Sequence, residues 1–148
     1  MTAKSFVDTN ILIYARDLAN PDEQRIAASL LEKLWETGLG RISTQVLNEY
    51  YVNVTQKLKP GLSKETAWED VVLYKEWGPA SIDMRLLESS YKVQKKYGIS
   101  WWDSLIVGAA LCSGCEMIYS EDLSHGQMYF DVQVQNPFRN NEEATFLT

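Results

Sequence analysis

The ten residues from Trp102 to Leu111 constrain the architecture more than any other stretch of the chain. Projected at about 100° per residue, W-D-S-L-I-V-G-A-A-L is apolar around almost its whole circumference. A helix of that kind has no face for water and has to be buried. The rest of the chain alternates short apolar runs with longer amphipathic ones, the pattern of an α/β domain with a largely parallel sheet. About five strands are predicted: Ser5 to Val7, Arg41 to Ser43, Ala80 to Ile82, Glu116 to Tyr119, and a final edge strand alternating from Val132 to Val134. Helices are predicted over Asn10 to Leu18, from Pro21 to near Gly38, from about Gln45 to Leu58, over Ser63 to Trp77 and over Met84 to Tyr97. The buried helix follows, opening at Ser100.

A chain of 148 residues, 45% hydrophobic and 23% charged, is sized for one domain whose core needs no staples. That core is expected over about 5–135, with a largely polar tail over about 136–148 that carries Phe138 and Phe146. Lys and Arg number 14 against 20 Asp and Glu, a net charge of −6. This excludes a protein that holds nucleic acid by net charge alone, but not a nuclease whose metal site is itself made of carboxylates. No apolar run reaches the ~20 residues of a membrane span. The opening MTAKSFVDTN has no apolar signal core, so the expectation is a cytoplasmic protein with no membrane partner. Cys112 and Cys115 form C-S-G-C after a helix rather than before one, where the dipole has the wrong sign for a thiolate. They read as buried, inert thiols. With His125 they do not make a zinc site, and His125 is assigned no role.

Three carboxylates stand at special positions. Asp8 ends the first strand, Asp122 follows Glu116 to Tyr119, and Asp103 opens the buried helix. In open α/β sheets the carboxyl ends of strands share one edge with the starts of the following helices, and ligands bind there. Asp8, Asp103 and Asp122 are expected to converge on that edge. Singly, each has a structural explanation: Asp8 as a helix cap, Asp122 as a turn former, Ser100-x-x-Asp103 as a capping box. Three caps on one edge would be a coincidence, however, and two tryptophans beside Asp103 imply a shielded acid. Clustered carboxylates repel, and no Lys or Arg lies beside them in sequence, so a divalent cation is the natural counter-charge. A fourth acid, Glu49, projects roughly 140° from the apolar stripe of its helix, which by itself describes a solvated surface residue.

F-V-D-T-N-I-L-I-Y-A at 6–15 resembles the opening of a PIN domain. Q-V-L-N-E-Y-Y, W-W-D-S-L-I-V-G-A-A and Y-S-E-D-L follow in that family's order and at compatible spacing, over about residues 5–135. The nearest branch looks like the VapC-type toxins of toxin–antitoxin pairs. The resemblance implies a three-layer PIN-like fold, with a central, mostly parallel sheet flanked by helices. It carries the four acidic positions onto Asp8, Glu49, Asp103 and Asp122, with Glu121 a neighbour that competes with Asp122. Thr9, Asn10 and Ser120 match the supporting polar positions. It further implies Mg²⁺ or Mn²⁺ held by Asp8, Asp103 and Asp122, an RNA substrate, a homodimer and an antitoxin partner.

The expected activity is therefore metal-dependent hydrolysis of RNA phosphodiesters, with Glu49 completing the site through water and Thr9, Asn10 and Ser120 positioning the acids. Arg16, Lys92, Lys95 and Lys96 are candidates to meet phosphates, and Trp101 or Tyr14 to stack a base. A solvated basic face and core aromatics are the simpler explanation of each of these residues, and none is assigned to the site. The alternative is a PIN-like module that binds RNA or protein without cutting; intact acids at all four positions count against it. A receiver-type phosphoryl-transfer domain ranks lower, because Asp8 is followed by Thr9-Asn10 and no Lys occurs after Lys96.

Overall fold

Every residue of β1 (Ser5–Val7) is buried, as a short strand covered on both faces must be. In the computed structural model, which describes residues 3–139, β1 has a parallel neighbour on each side. These are β2 (Gly40–Arg41) and β3 (Met117–Tyr119). β3 pairs in parallel with β5 (Val132–Gln135), and β4 (Met128–Tyr129) closes the sheet by an antiparallel pairing with β5. The order is β2-β1-β3-β5-β4, a five-stranded, mostly parallel α/β sheet flanked by helices.

Between β1 and β2 come α1 (Thr9–Tyr14) and α2 (Pro21–Thr37), the latter with proline at its start and Gly38 at φ 71° behind it. From β2 to β3 run α3 (Thr44–Gln56), α4 (Lys64–Leu73), a 3₁₀ turn over Tyr74–Trp77, α5 (Met84–Tyr97) and α6 (Trp101–Cys112). Seven consecutive residues of α6, Ser104 to Ala110, are buried, as its all-round apolar surface demands. The core joins that helix to Phe6, Val7, Ile118, Val132 and Val134 of the sheet and to Leu30, Leu34, Val46 and Val54 of the other layer.

Several expectations are corrected. The stretch at 80–82 is not a strand: Ala80 makes an isolated parallel bridge to Ser43 and nothing more. β5 is not the edge, because the chain reverses through Phe130-Asp131 and lays β4 along it. The first helix stops at Tyr14, where Ala15 caps it, and the segment from Ser63 tightens into 3₁₀ geometry at Tyr74. Cys115 is buried, and burial pushes its thiol up to about 12, but Cys112 is only half-buried. Phe138 belongs to the fold, its ring 4.7 Å from that of Tyr14. Phe146 and the rest of 140–148 lie outside the described residues.

α5 and α6 pack tightly through Gly108. A Cβ there would lie 2.1 Å from Ser90 Oγ and 3.1 Å from the Ser90 backbone nitrogen. Alanine normally favours a helix over glycine by ~1 kcal/mol, but overpacking a buried contact costs about 1–3 kcal/mol. Gly108→Ala is therefore expected to lower the melting temperature by several degrees. Adding Ser90→Ala removes the nearest atom, so the double variant should recover part of the loss; simple additivity in thermal denaturation would contradict the contact.

Candidate active site

Past the end of β1 the sheet continues for one more bond, the Asp8 amide donating to the Tyr119 carbonyl at 3.0 Å. This brings Asp8 and Ser120 together at the carboxyl edge. Asp8 caps α1, its Oδ1 accepting from the Thr9 amide at 2.7 Å, while Oδ2 accepts from the Ser120 hydroxyl, also at 2.7 Å. The cap and the functional candidate are thus the same residue. Ser120 is fully buried, and its oxygen also accepts from the amides of Asp122 and Leu123 at 3.1 and 3.2 Å. One hydroxyl therefore ties the first acid to the turn that carries the last.

Asn10 makes a second tie. Its Nδ2 lies 3.1 Å from Asp122 Oδ2 and 3.5 Å from Asp8 Oδ2, and its Oδ1 accepts from the Glu121 amide at 3.1 Å. Glu121 and Asp122 are adjacent but face different neighbours. Asp122 meets Asn10, whereas the Glu121 charge acts on the Tyr14 phenol. Burial raises that phenol to about 12, with Glu121 adding to the rise. Thr9 contributes its amide to Asp8; its hydroxyl is buried without a hydrogen-bond partner among the described residues.

Asp103 lies in the first turn of α6, its amide bonded to the Ser100 hydroxyl at 3.0 Å. The return bond of a capping box, from the Ser100 amide to the Asp103 carboxylate, is absent among the described residues. The expected shielding of Asp103 by two tryptophans is not found either. Trp102 is 66% exposed and Asp103 is half-buried. The reason is position: a first-turn residue projects from the helix end, before the surrounding layers close over α6.

The electrostatics connect the four acids. Asp8, 6% exposed, has its carboxyl raised to about 6. Desolvation by burial is the main cause; Asp122 and Glu49 raise it further, against the lowering by Ser120 and Thr9. Glu49, on α3, is raised by partial burial and by the charges of Asp122 and Asp103, with Gln45 opposing. Charges from four distant segments therefore act on one another at this edge of the molecule. Among the described residues, no three His, Cys, Asp or Glu side chains are drawn together into a ready metal shell. The donor set nevertheless suits a hard divalent cation. It is all oxygen, its most buried member holds its proton unusually tightly, and the charges acting on that member are negative.

Arg16 is not available to a phosphate. Its guanidinium holds Asp70 with two bonds, at 2.7 and 3.0 Å, and Asp70 also takes the Tyr50 hydroxyl. This Arg16–Asp70–Tyr50 network pins α4 to α1 and α3, and nothing in the spacing of Asp70 announces it. Tyr14 is engaged by Glu121 and Phe138, and Trp101 packs against the core.

Comparison with known proteins gives this geometry a context. A family model described as the PIN domain matches residues 5–130. The chain also superposes on a chain of VapBC2 from Rickettsia felis, solved bound to a DNA fragment from its promoter, with a TM-score of 0.59. That match covers 89% of this chain and 97% of the other, at 17% sequence identity. No curated protein matches the sequence. The fold, the order of the acidic segments and the span of the family match lead to one conclusion: the chain belongs to the PIN domain family.

Proposed function

We propose that the protein is a metal-dependent ribonuclease and the toxin of a toxin–antitoxin pair. One observation supports the catalytic part: carboxylates at the end of β1, on α3, in the first turn of α6 and in the turn after β3 act on one another electrostatically, and the charges acting on the buried one are negative. Membership of the PIN family and the likeness of fold to a VapBC complex support the nuclease and the antitoxin partner. The homodimer is carried over from the family in the same way. The domain is taken to span the whole chain, 1–148.

Asp8, Asp103 and Asp122 would hold Mg²⁺ or Mn²⁺, which when bound supplies activation of water and neutralises charge on the phosphodiester. The residues of the chain do the rest. Thr9 N–H and Ser120 O–H fix both oxygens of Asp8, so that carboxylate cannot rotate away from the pocket. Asn10 sets the separation of Asp8 from Asp122. Glu49, with its raised proton affinity, is suited to accept the proton of the attacking water. In-line attack on phosphorus then breaks the P–O3′ bond; the leaving 3′ oxygen takes a proton from solvent, giving a 5′-phosphate and a 3′-hydroxyl. A non-cutting binding module is the second reading, favoured by the absence of a ready three-ligand shell among the described residues.

Cleavage of end-labelled RNA by the purified protein in Mg²⁺, Mn²⁺ or EDTA separates the two. Discrete metal-dependent fragments are expected. Asp8→Asn and Asp103→Asn should each reduce cleavage by at least ~10²-fold, with circular dichroism unchanged. Undiminished cutting by both variants would overturn the assignment, and metal-independent binding without cutting would favour the module.

Asp8 also makes a prediction about pH. Its folded pKa of about 6 lies above the ordinary 3.8, so the folded state binds this proton more tightly than the unfolded state does. The corresponding stability is complete below about pH 4 and is lost as pH rises through 6. The loss amounts to no more than about 3 kcal/mol. In EDTA above pH 6, Asp8→Asn, which keeps a capping side chain, should melt higher than the parent, the gap closing below pH 4. Added Mg²⁺ should raise the parent's melting temperature and leave the variant's nearly unchanged.

A further inference from the structure

β4 and β5 are joined by a two-residue loop, Phe130-Asp131, with Tyr129 opposite Val132. Tight hairpins of this size need positive φ at the first loop position, and glycine or asparagine usually stands there. Here Phe130 adopts φ 53°, the only described non-glycine residue with positive φ. A bulky aromatic held in that region is strained and calls for an explanation.

Its surroundings suggest one. The ring is 38% exposed rather than folded into the core. Lys96 Nζ lies over it at 4.9 Å from the centroid and also over the Tyr97 ring, at 5.4 Å. The Tyr97 hydroxyl accepts from the Phe130 amide at 2.7 Å, and the two rings meet edge-on at 5.5 Å. The backbone is thus clamped while part of the ring remains free. The hairpin tip lies at the amino edge of the sheet, opposite Asp8 and Ser120, because β5 runs parallel to β3 with Gln135 beside Tyr119; the aromatic cluster reaches from there toward the start of α6. Tyr97 ends α5, three residues before the Ser100 cap of α6, and packs on Tyr129 at 5.0 Å. The Tyr129 phenol is raised by burial and then by the Asp103 charge.

We propose that Phe130, with Lys96 beside it, is a base-stacking platform for single-stranded nucleic acid outside the acidic edge, on the approach to the start of α6. The inference rests on the nuclease reading above. An exposed ring offers a π-face to any base, and a neighbouring ammonium meets the adjoining phosphate. In a chain of net charge −6, a cation beside a presented aromatic is a local exception to the overall repulsion of RNA. It favours a strand that runs from the hairpin tip toward the start of α6.

The test compares two fluorescein-labelled probes by anisotropy, with Ca²⁺ replacing Mg²⁺. One is an oligoadenylate of about 12 nucleotides; the other is an abasic strand with the same number of phosphates. The parent should bind the oligoadenylate about tenfold more tightly than the abasic strand. Phe130→Gly should lose that preference while binding the abasic strand like the parent, and Phe130→Tyr should keep it. Because glycine relieves the strained loop, Phe130→Gly should melt no more than a few degrees below the parent. Lys96→Met should weaken both probes alike. Retained preference in Phe130→Gly, or equal binding of the two probes by a parent that cuts RNA, overturns the platform alone. A parent that neither binds nor cuts single-stranded RNA overturns the nuclease reading with it.

Discussion

The Ser120–Asp8 hydrogen bond is the contact on which the organisation of this molecule turns. It joins residues 112 apart in sequence, both buried, at the point where β1 and β3 end side by side. A buried carboxylate is costly, and a fixed hydroxyl and a helix amide make Asp8 tolerable without neutralising it. The remaining imbalance defines the pocket. Asn10 and the 121–122 turn are arranged around an acid that the fold holds in place but does not neutralise.

A second polar cluster in the same chain shows the contrast. Asp70 is also largely withdrawn from water, yet it is matched by the Arg16 guanidinium and the Tyr50 hydroxyl. That network is closed: its charges cancel internally, and its role is to hold α4 against its neighbours. The acids at the sheet edge are open in the same electrostatic sense. Polar groups that complete one another belong to the architecture, whereas those left with excess charge of one sign require something from outside.

Much of this was legible because it depends on short-range pattern. Met84 to Tyr97 followed by Gly98 reads as an amphipathic helix with its stop, and Ser5 to Val7 followed by Asp8 reads as a buried strand meeting a cap. The expected convergence of Asp8, Asp103 and Asp122 comes from the rule that places strand ends and helix starts on one edge; in the structure Asn10 ties Asp8 to Asp122. Glu49 needed the family resemblance, since its projection away from the apolar stripe describes any surface residue. The features that escaped depend on tertiary context. β4 is two residues long and carries no periodicity, so the edge was assigned to β5. The exposure of Trp102 depends on how far the neighbouring layers reach along α6. Asp70 finds Arg16 across 54 residues, a pairing that no local spacing encodes.

The strand order carries a consequence for synthesis. β1 is made first and becomes an interior strand, but its neighbour β3 lies more than a hundred residues downstream. Until that segment has emerged and paired, Asp8 has no Ser120 to bind and Asp122 has no sheet edge to stand on. Non-local pairings of this kind come late and slowly in folding. The acidic pocket is therefore among the last parts of the domain to exist, and a nascent chain on the ribosome carries its first acid long before it can assemble a site around it.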